Sequence, residues 1–481
     1  MESVVVLGAG PAGMMAGYEL SKHKKKCVVF DKQPFVGGLA RTLKFDDFLT
    51  DIGPHRFYSK KPYLYQIIEE LLGDDWIKVN RLSRFYVNGK FYKYPVELIP
   101  TLIGVGPYKA FRMVFDYYFS RTKSMIIKKK LKSFEDYAIN NFGWTLAKFN
   151  MLDYTEKIWG IPCNKMSPDW ALQRIGGLSV YVAIKNAVMK GMQGSKKGPA
   201  TLVDTFYYPK YGAGFLYQKM KEKIESDGNK IMLDSEIVRV NHRKGKVTSI
   251  EAKTKDGIKT FECSHCISSI PITLLARIMN PAPPKHVIEA AKKLKHRSQI
   301  YIFIELNKKS VTKDNWVYFP DKNIPFGRFY EPRNFSKAMS PKGKTSLMVE
   351  YFCFEDDELW KMEDEKLFDF TIKELEKLGF IKRKEVIKCY SHKERFVYPL
   401  YTLDYKKYDI TIKKYLKSFK NLYYIGRAGR FKYHAQDIAL DTGIFAAKSI
   451  IEKRKYNIDN IGEENEYAEK GMIKNKRQNL D

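Results

Sequence analysis

Several things are scarce in this chain of 481 residues, and each scarcity removes an explanation. Cysteine occurs only six times and no secretory leader is evident, so a disulfide framework is not expected and a reducing compartment is. Cys263 and Cys266 form a Cys-x-x-Cys, but no second pair follows, and no metal site is expected. No apolar run is long enough to span a bilayer. Zinc-finger spacing and other nucleic-acid modules are also missing, which argues against a nucleic-acid polymer as partner.

Acidic residues are in deficit as well. There are 85 Lys and Arg against 55 Asp and Glu, a formal charge of +30, which favours anionic small molecules or an anionic surface. Most of the excess is dispersed lysine. Denser clusters lie at Lys22 to Lys26 and Arg121 to Lys132, the second beside Tyr117, Tyr118, Phe119, Met125, Ile126 and Ile127. That mixture suits contact with an anionic bilayer, although a solvated basic helix end explains it equally well. The expected location is cytoplasmic, with peripheral contact at the inner face of a membrane as an option. Nothing in the sequence fixes an oligomeric state.

What is present is a strand, glycine turn, helix, strand order at the start. Residues 3 to 8 are apolar, Gly8-Ala9-Gly10-Pro11-Ala12-Gly13 follow, Met14 to Leu20 read as helix, and Val28 to Phe30 end at Asp31 and Lys32. In a dinucleotide fingerprint Gly8 permits the tight turn, Gly10 lets backbone approach a pyrophosphate, and Gly13 lets helix pack on strand. The helix N-terminus offers free amides to phosphate, and Asp31 is placed to accept from ribose hydroxyls. Gly37-Gly38-Leu39-Ala40-Arg41 adds backbone donors and an arginine for a second phosphate edge, which suits FAD better than a nicotinamide dinucleotide. Far downstream, Tyr423 to Ile425 lead into Gly426-Arg427-Ala428-Gly429 and a helix whose Gly443, Ala446 and Ala447 are small enough to pack against flavin.

The reading is an α/β fold. Segments 1–95, 205–296 and 401–452 build a discontinuous Rossmann-like FAD-binding domain, and Val238 in the extended run 237–240 joins its cofactor set. Residues 96–204 form a largely helical substrate or cap region. Residues 297–400 form a second, substrate-binding β-sheet domain, with strands near 298–306, 315–319, 326–330 and 346–353. Phe85 to Tyr94 read as a hairpin across Asn88-Gly89. The tail 453–481 is expected to fray.

The glycine loop, Asp31 and the second glycine segment resemble the flavoprotein superfamily that contains UDP-galactopyranose mutase, protoporphyrinogen oxidase and the amine oxidases. Four further segments resemble the mutases more specifically: Gly53-Pro54-His55-Arg56-Phe57-Tyr58, Tyr154-Thr155-Glu156-Lys157-Ile158-Trp159-Gly160, Arg174-Ile175, and Gly426 to Asp437. The resemblance implies an FAD-dependent enzyme acting on a nucleotide-activated sugar. Reduced-flavin N5 would serve as nucleophile in pyranose/furanose interconversion, with NADPH or NADH as an option for reductant. The alternative is an FAD-dependent oxidoreductase, amine oxidase-like or protoporphyrinogen oxidase-like, acting on a sugar, amine or other small organic substrate.

The same resemblance implies residue roles. Arg174, Arg328 and Arg427 become diphosphate and active-site candidates, their planar donors matching phosphate oxygens. Tyr433 is a diphosphate donor, Trp159 a stacking surface for a base, and His55 a residue facing the flavin ring as hydrogen-bond donor or proton carrier. Asp437 supports the cofactor.

Overall fold

The computed structural model describes residues 3–87, 89–93, 104–126, 131–170 and 205–462. Five parallel strands form one sheet in the spatial order Leu422–Tyr424, His265–Ser268, Ser3–Leu7, Lys26–Phe30 and Lys230–Met232. An all-parallel sheet must be covered on both faces. Alternation in the first strand does this: Val4 and Val6 pack with Met15, Leu20, Met220 and Ile444, while Val5 and Leu7 pack with Leu275, Ala290 and Ile412 on the other face. Strands from segments 1–95, 205–296 and 401–452 thus meet in one discontinuous α/β domain. Cys266 is buried in this sheet and Cys263 half-buried beside it, both as free thiols.

The second sheet has seven strands in the order Val386–Pro399, His296–Leu306, Thr345–Cys353, Arg328–Tyr330, Trp316–Tyr318, Ser83–Val87 and Lys90–Lys93. Its last two strands are the hairpin read within the first segment, joined through parallel pairing of Trp316–Tyr318 with Ser83–Phe85. Segment 1–95 is therefore shared between the two sheets. Sequence alternation alone reveals a hairpin but not its partner, because pairing across some 230 residues leaves no local trace.

Helices Pro107–Ile126, Phe134–Phe142 and Asp153–Trp159 form the helical region. Their core, including Met113, Phe134, Ala138 and Trp159, closes against Val397, Tyr398 and Leu400 of the second sheet. Arg174, Ile175 and the expected loop 193–198 lie outside the described residues. Residues 453–462 are docked where the tail is expected to fray, and 463–481 lie outside the described residues. The buried Arg430 guanidinium donates to the carbonyls of Asp459 at 2.5 Å and Ile461 at 3.1 Å, docking the chain as far as 462.

Helix Gln436–Ile451 crosses helix Pro11–Lys22 at Gly443. A Cβ there would stand 2.3 Å from the Ala12 carbonyl oxygen and 3.0 Å from the Ala16 nitrogen. Ala446 and Ala447 are fully buried in the same cluster as Met15 and Leu20. The small residues expected to face flavin instead let two helices approach each other. Gly443→Val should therefore lower stability by about 3 kcal/mol, because the obstacle is backbone that cannot swing away. A urea midpoint equal to that of the unsubstituted protein would show that the crossing relaxes.

Candidate active site

A cavity of about 550 Å³ opens where the parallel strands end and extends to the second sheet. Strand ends are where open α/β sheets bind ligands. Gly8, Gly10, Pro11 and Ala12 line its first end, together with Asp31 and Lys32. The Asp31 carboxylate accepts from the amides of Ala9 at 2.7 Å and Gln33 at 2.9 Å, clamping the glycine loop onto the second strand. Burial pushes the Asp31 carboxyl up, and those two amides oppose the shift. Of the segment expected to contribute Val238, the lining residues are Ser235, Glu236 and Ile237.

Gly38, Leu39, Ala40 and Arg41 continue the lining. Gly37 lies behind them, its amide donating to the Ala9 carbonyl at 2.8 Å. Arg41 does not present a free fork. Its Nη1 donates to the Gly38 carbonyl at 2.8 Å and its Nη2 to Glu394 at 2.5 Å. Burial opposes ionisation of Glu394, yet the bond from His392 and the charge of Arg41 hold its carboxyl below the usual carboxylate range.

Two helix N-termini open onto the cavity. Helix Pro11–Lys22 begins after Gly10 and helix Gln436–Ile451 after Ala435, and neither has a side-chain cap. Unpaired amides and the positive end of the helix dipole favour negative charge at both places. Ala435 to Ala439 line the cavity beside Gly426, Arg427 and Ala428. Asp437, pushed up to about 6 by burial, bonds to the Ile438 amide and the Ser59 hydroxyl.

At the far end the structure brings together His55, Arg328, Arg427 and Tyr433. The Asp51 carboxylate anchors the approach to His55 by accepting from the hydroxyls of Thr42 and Tyr208, both at 2.6 Å, and from the Ala213 amide at 3.1 Å. His55 Nδ1 donates to the Gly53 carbonyl at 3.0 Å, which leaves Nε2 as an acceptor. Burial, with the charges of Arg328 and Arg427 nearby, pushes His55 down to about 3. The ring is thus a neutral acceptor and not the expected proton donor.

Arg328 is gripped by Glu350, Nε to Oε1 at 2.9 Å and Nη2 to Oε2 at 2.5 Å. Gln299 also donates to Glu350 at 3.1 Å, and Tyr301 donates to Gln299 at 2.5 Å. Arg427 is different. Its guanidinium lies 4.7 Å from the Tyr398 ring centre and 4.2 Å from that of Tyr433, and those rings stack at 5.3 Å. Among the described residues no carboxylate pairs with it, and its buried Nε has no hydrogen-bond partner.

Trp159 is 1% exposed and packs edge-on to Trp170 at 4.6 Å and Tyr398 at 5.5 Å. It stands behind the tyrosine pair and outside the cavity lining, so it supports Tyr433 and presents no open face to a base. Arg174 lies outside the described residues. Sequence reasoning missed Gln299, Tyr301, Glu350, Glu394 and Tyr398. One signal was present: Gln299 and Tyr301 alternate with Ile300 and Ile302, marking a polar face on a strand buried on both sides.

The pattern of the family described as flavin containing amine oxidoreductase matches residues 11–451. The chain belongs to this family. Among curated relatives, a 1-hydroxycarotenoid 3,4-desaturase from Flavobacterium sp. is 22% identical over 52% of this chain and 53% of its own length. An L-amino-acid oxidase from Crotalus adamanteus is 22% identical over 67% of this chain and 64% of its own. The matches therefore span about half to two thirds of those relatives. Among solved structures, a reduced UDP-galactopyranose mutase superposes with a TM-score of 0.82 at 21% identity, covering 98% of this chain and 99% of that one. At such identity the likeness speaks for the fold alone.

The residues fit the flavin cofactor of this family. Buried Nδ1 of His434 and Nε2 of Gln436 belong to lining residues and have no partner in the protein. Leaving such groups unpaired is costly, and a polar ligand satisfies them. FAD would be held by the Gly8 to Ala12 loop and the Gly38 to Arg41 turn at its phosphates, and by the Ala435 to Ala439 helix start at its ring.

A pair of alanine substitutions separates fold from cofactor. At Gly10 the nearest protein atom to an added Cβ is 3.9 Å away, so Gly10→Ala should fold normally but lose flavin by at least about tenfold in affinity, since the methyl occupies the phosphate approach. At Gly13 the Cβ would stand 1.8 Å from the Gly8 carbonyl oxygen, so Gly13→Ala should unfold at lower urea whether or not flavin is present. Flavin absorbance after gel filtration and urea titration read the two effects. A second expectation concerns acid. His55 gains a proton near 6.5 when unfolded but only near 3 when folded, so its stabilising contribution is complete above pH 6.5 and is lost as pH falls toward 3. Nitrogen NMR of the imidazoles should show His55 in the neutral Nδ1-protonated form from about pH 8 to 5. An imidazolium signal from His55 in that range would contradict it.

Proposed function

We propose that this flavin enzyme acts on a nucleotide-activated sugar as a UDP-galactopyranose mutase-like pyranose/furanose mutase. The observation that carries the reading is Arg427, a half-buried cation with, among the described residues, no carboxylate partner, presented to the cavity on a stacked pair of tyrosines. A permanently charged planar fork held by the protein only through a long bond from Nη1 to the His434 carbonyl, at 3.5 Å, suits a diphosphate, whose oxygens it can meet bidentately. A primary or secondary amine substrate would be repelled by it.

The other residues extend the same logic. Arg328 is positioned by Glu350 with Nη1 outside the bidentate pair, adding a second cation whose charge is largely compensated. His55 Nε2 accepts one hydrogen bond and fixes its donor. Gln299 and Tyr301 present polar edges that suit sugar hydroxyls, and Arg174 is proposed as a further diphosphate ligand. When bound and reduced, by NADPH or NADH, the flavin supplies an electron-rich N5 for exchange at the anomeric carbon without net redox change. The wall of Tyr318, Tyr398 and Tyr433 keeps bulk water from that carbon.

Enzyme reduced chemically under nitrogen should convert UDP-galactopyranose or a related nucleotide sugar over many turnovers without consuming reductant, followed by chromatography of the isomers. Arg427→Ala should raise KM about thirtyfold, the equivalent of about 2 kcal/mol for one lost charged hydrogen-bonding group, while flavin content stays the same. Arg427→Lys should recover only part of this, because it restores charge but not the fork. If a nucleotide-sugar panel fails with intact reduced flavin, and an amine or amino acid instead bleaches the oxidised enzyme, net redox turnover replaces this reading.

A further inference from the structure

Helix Pro107–Ile126 has its aromatic side turned the wrong way for a globular protein. At one hundred degrees per residue, Met113 and Tyr117 mark the buried side, 2% and 6% exposed. Tyr108, Phe111, Phe115, Tyr118 and Phe119 fall on the opposite side and are between 58% and 74% exposed. The three phenylalanines stack in a ladder, Phe111 to Phe115 at 6.2 Å and Phe115 to Phe119 at 6.3 Å. Val114, 40% exposed, borders them. Scattered exposed apolar residues need no explanation, but a contiguous stripe of this kind marks an interaction surface.

The charges that flank the stripe say what covers it. Lys109, Arg112 and Lys123 are exposed on one border and Arg121 is half-buried on the other. The helix has a single acidic residue, Asp116, and its carboxylate is engaged by the Thr145 amide at 3.1 Å and by the Thr145 hydroxyl. In sequence, Lys128, Lys129, Lys130 and Lys132 follow directly. A second copy of this chain would bring the same cations, on a protein of formal charge +30, against themselves. An aromatic stripe between basic borders instead matches an anionic lipid interface, where rings lie at the headgroup boundary and Lys or Arg meet phosphate.

We propose that this helix docks the protein peripherally on an anionic lipid surface, with Phe111, Phe115 and Phe119 entering the interface and the flanking cations contacting lipid phosphates. The helix lies in the plane of the surface and does not cross it. The proposal stands apart from the reaction assigned to the cavity, since none of these side chains lines it.

The test uses the full flavin-loaded protein and vesicles of phosphatidylcholine alone or mixed with phosphatidylglycerol. Sedimentation should show binding to the mixed vesicles, weakening as salt is raised, and little binding to phosphatidylcholine alone. The triple variant Phe111→Ser, Phe115→Ser, Phe119→Ser should keep its flavin and melting temperature but lose at least about tenfold in partitioning. Separately, Phe115→Trp should show fluorescence quenching by brominated acyl chains, which reads insertion directly. No binding by the unsubstituted protein, equal binding by the triple variant, or no quenching of the introduced tryptophan would overturn the proposal. So would a triple variant whose only change is conversion of a lipid-free dimer to monomer, since that would make the stripe a self-interface.

Discussion

The closeness with which the first helix meets its neighbours governs the rest of the molecule. Gly13 lies on the Gly8 carbonyl, and Gly443 of the last long helix lies on the carbonyl of Ala12. These approaches are backbone on backbone, so they have little room to adjust. Their consequence is topological: two helices separated by some four hundred residues start beside the same cavity, neither with a side-chain cap. Neither end of the chain makes a cofactor site alone. Because the site exists only when the final segment has docked, ligand bound there stabilises the whole discontinuous domain and not one part of it.

Charge is distributed along the cavity by pairing. Arg41 is neutralised by Glu394 and Arg328 by Glu350, and these buried pairs order strands of the second sheet more than they attract ligands. A buried pair of this kind adds little net stability but is expensive to break. Compensation stops at Arg427, where aromatic faces replace a carboxylate. Burial, with the charges of Arg328 and Arg427 nearby, keeps His55 neutral, so the histidine orients by accepting and does not deliver protons near neutrality. Among the described residues, the electrostatic character of the far end therefore depends strongly on Arg427. Arg41 and Arg328, which the sequence marks as charged, are in the fold already paired.

Legibility followed the range of the interaction. The glycine loop, Asp31 and the strand that follows were readable because a phosphate-binding turn is local, and the discontinuous α/β layout could be inferred from where strand and glycine signals recur. The partner of the 83–93 hairpin was not readable, since parallel pairing with Trp316–Tyr318 is set by the tertiary fold. Arg41 looked free because Glu394 is over three hundred residues away, and Gly443 looked like a flavin contact because nothing nearby in sequence names the helix it crosses. Trp159 sat in a persuasive segment, yet Trp170 and Tyr398 enclose it. Even Glu350, which holds Arg328, was hidden in a strand that otherwise reads as apolar core. The stretch 453–462 was misread because the buried Arg430 holds its carbonyls.

The relatives this chain matches carry different activities on one fold, so the reaction must be sought in the walls of the site. A long apolar substrate would leave Arg427 desolvated against hydrocarbon, with its Nε unanswered, an arrangement that costs several kcal/mol. A free amino acid would meet that cation with its carboxylate but would fill little of a cavity that continues past Arg328 to Trp316 and Tyr318. A diphosphate flanked by a sugar and a base answers both demands. On the proposed reading its anionic centre would pair with Arg427, and its polar flanks would reach Gln299 and Tyr301 on one side and the tyrosine wall on the other. On the proposed reading, the choice of substrate in this chain turns on whether Arg427 is neutralised by the protein or kept for the substrate.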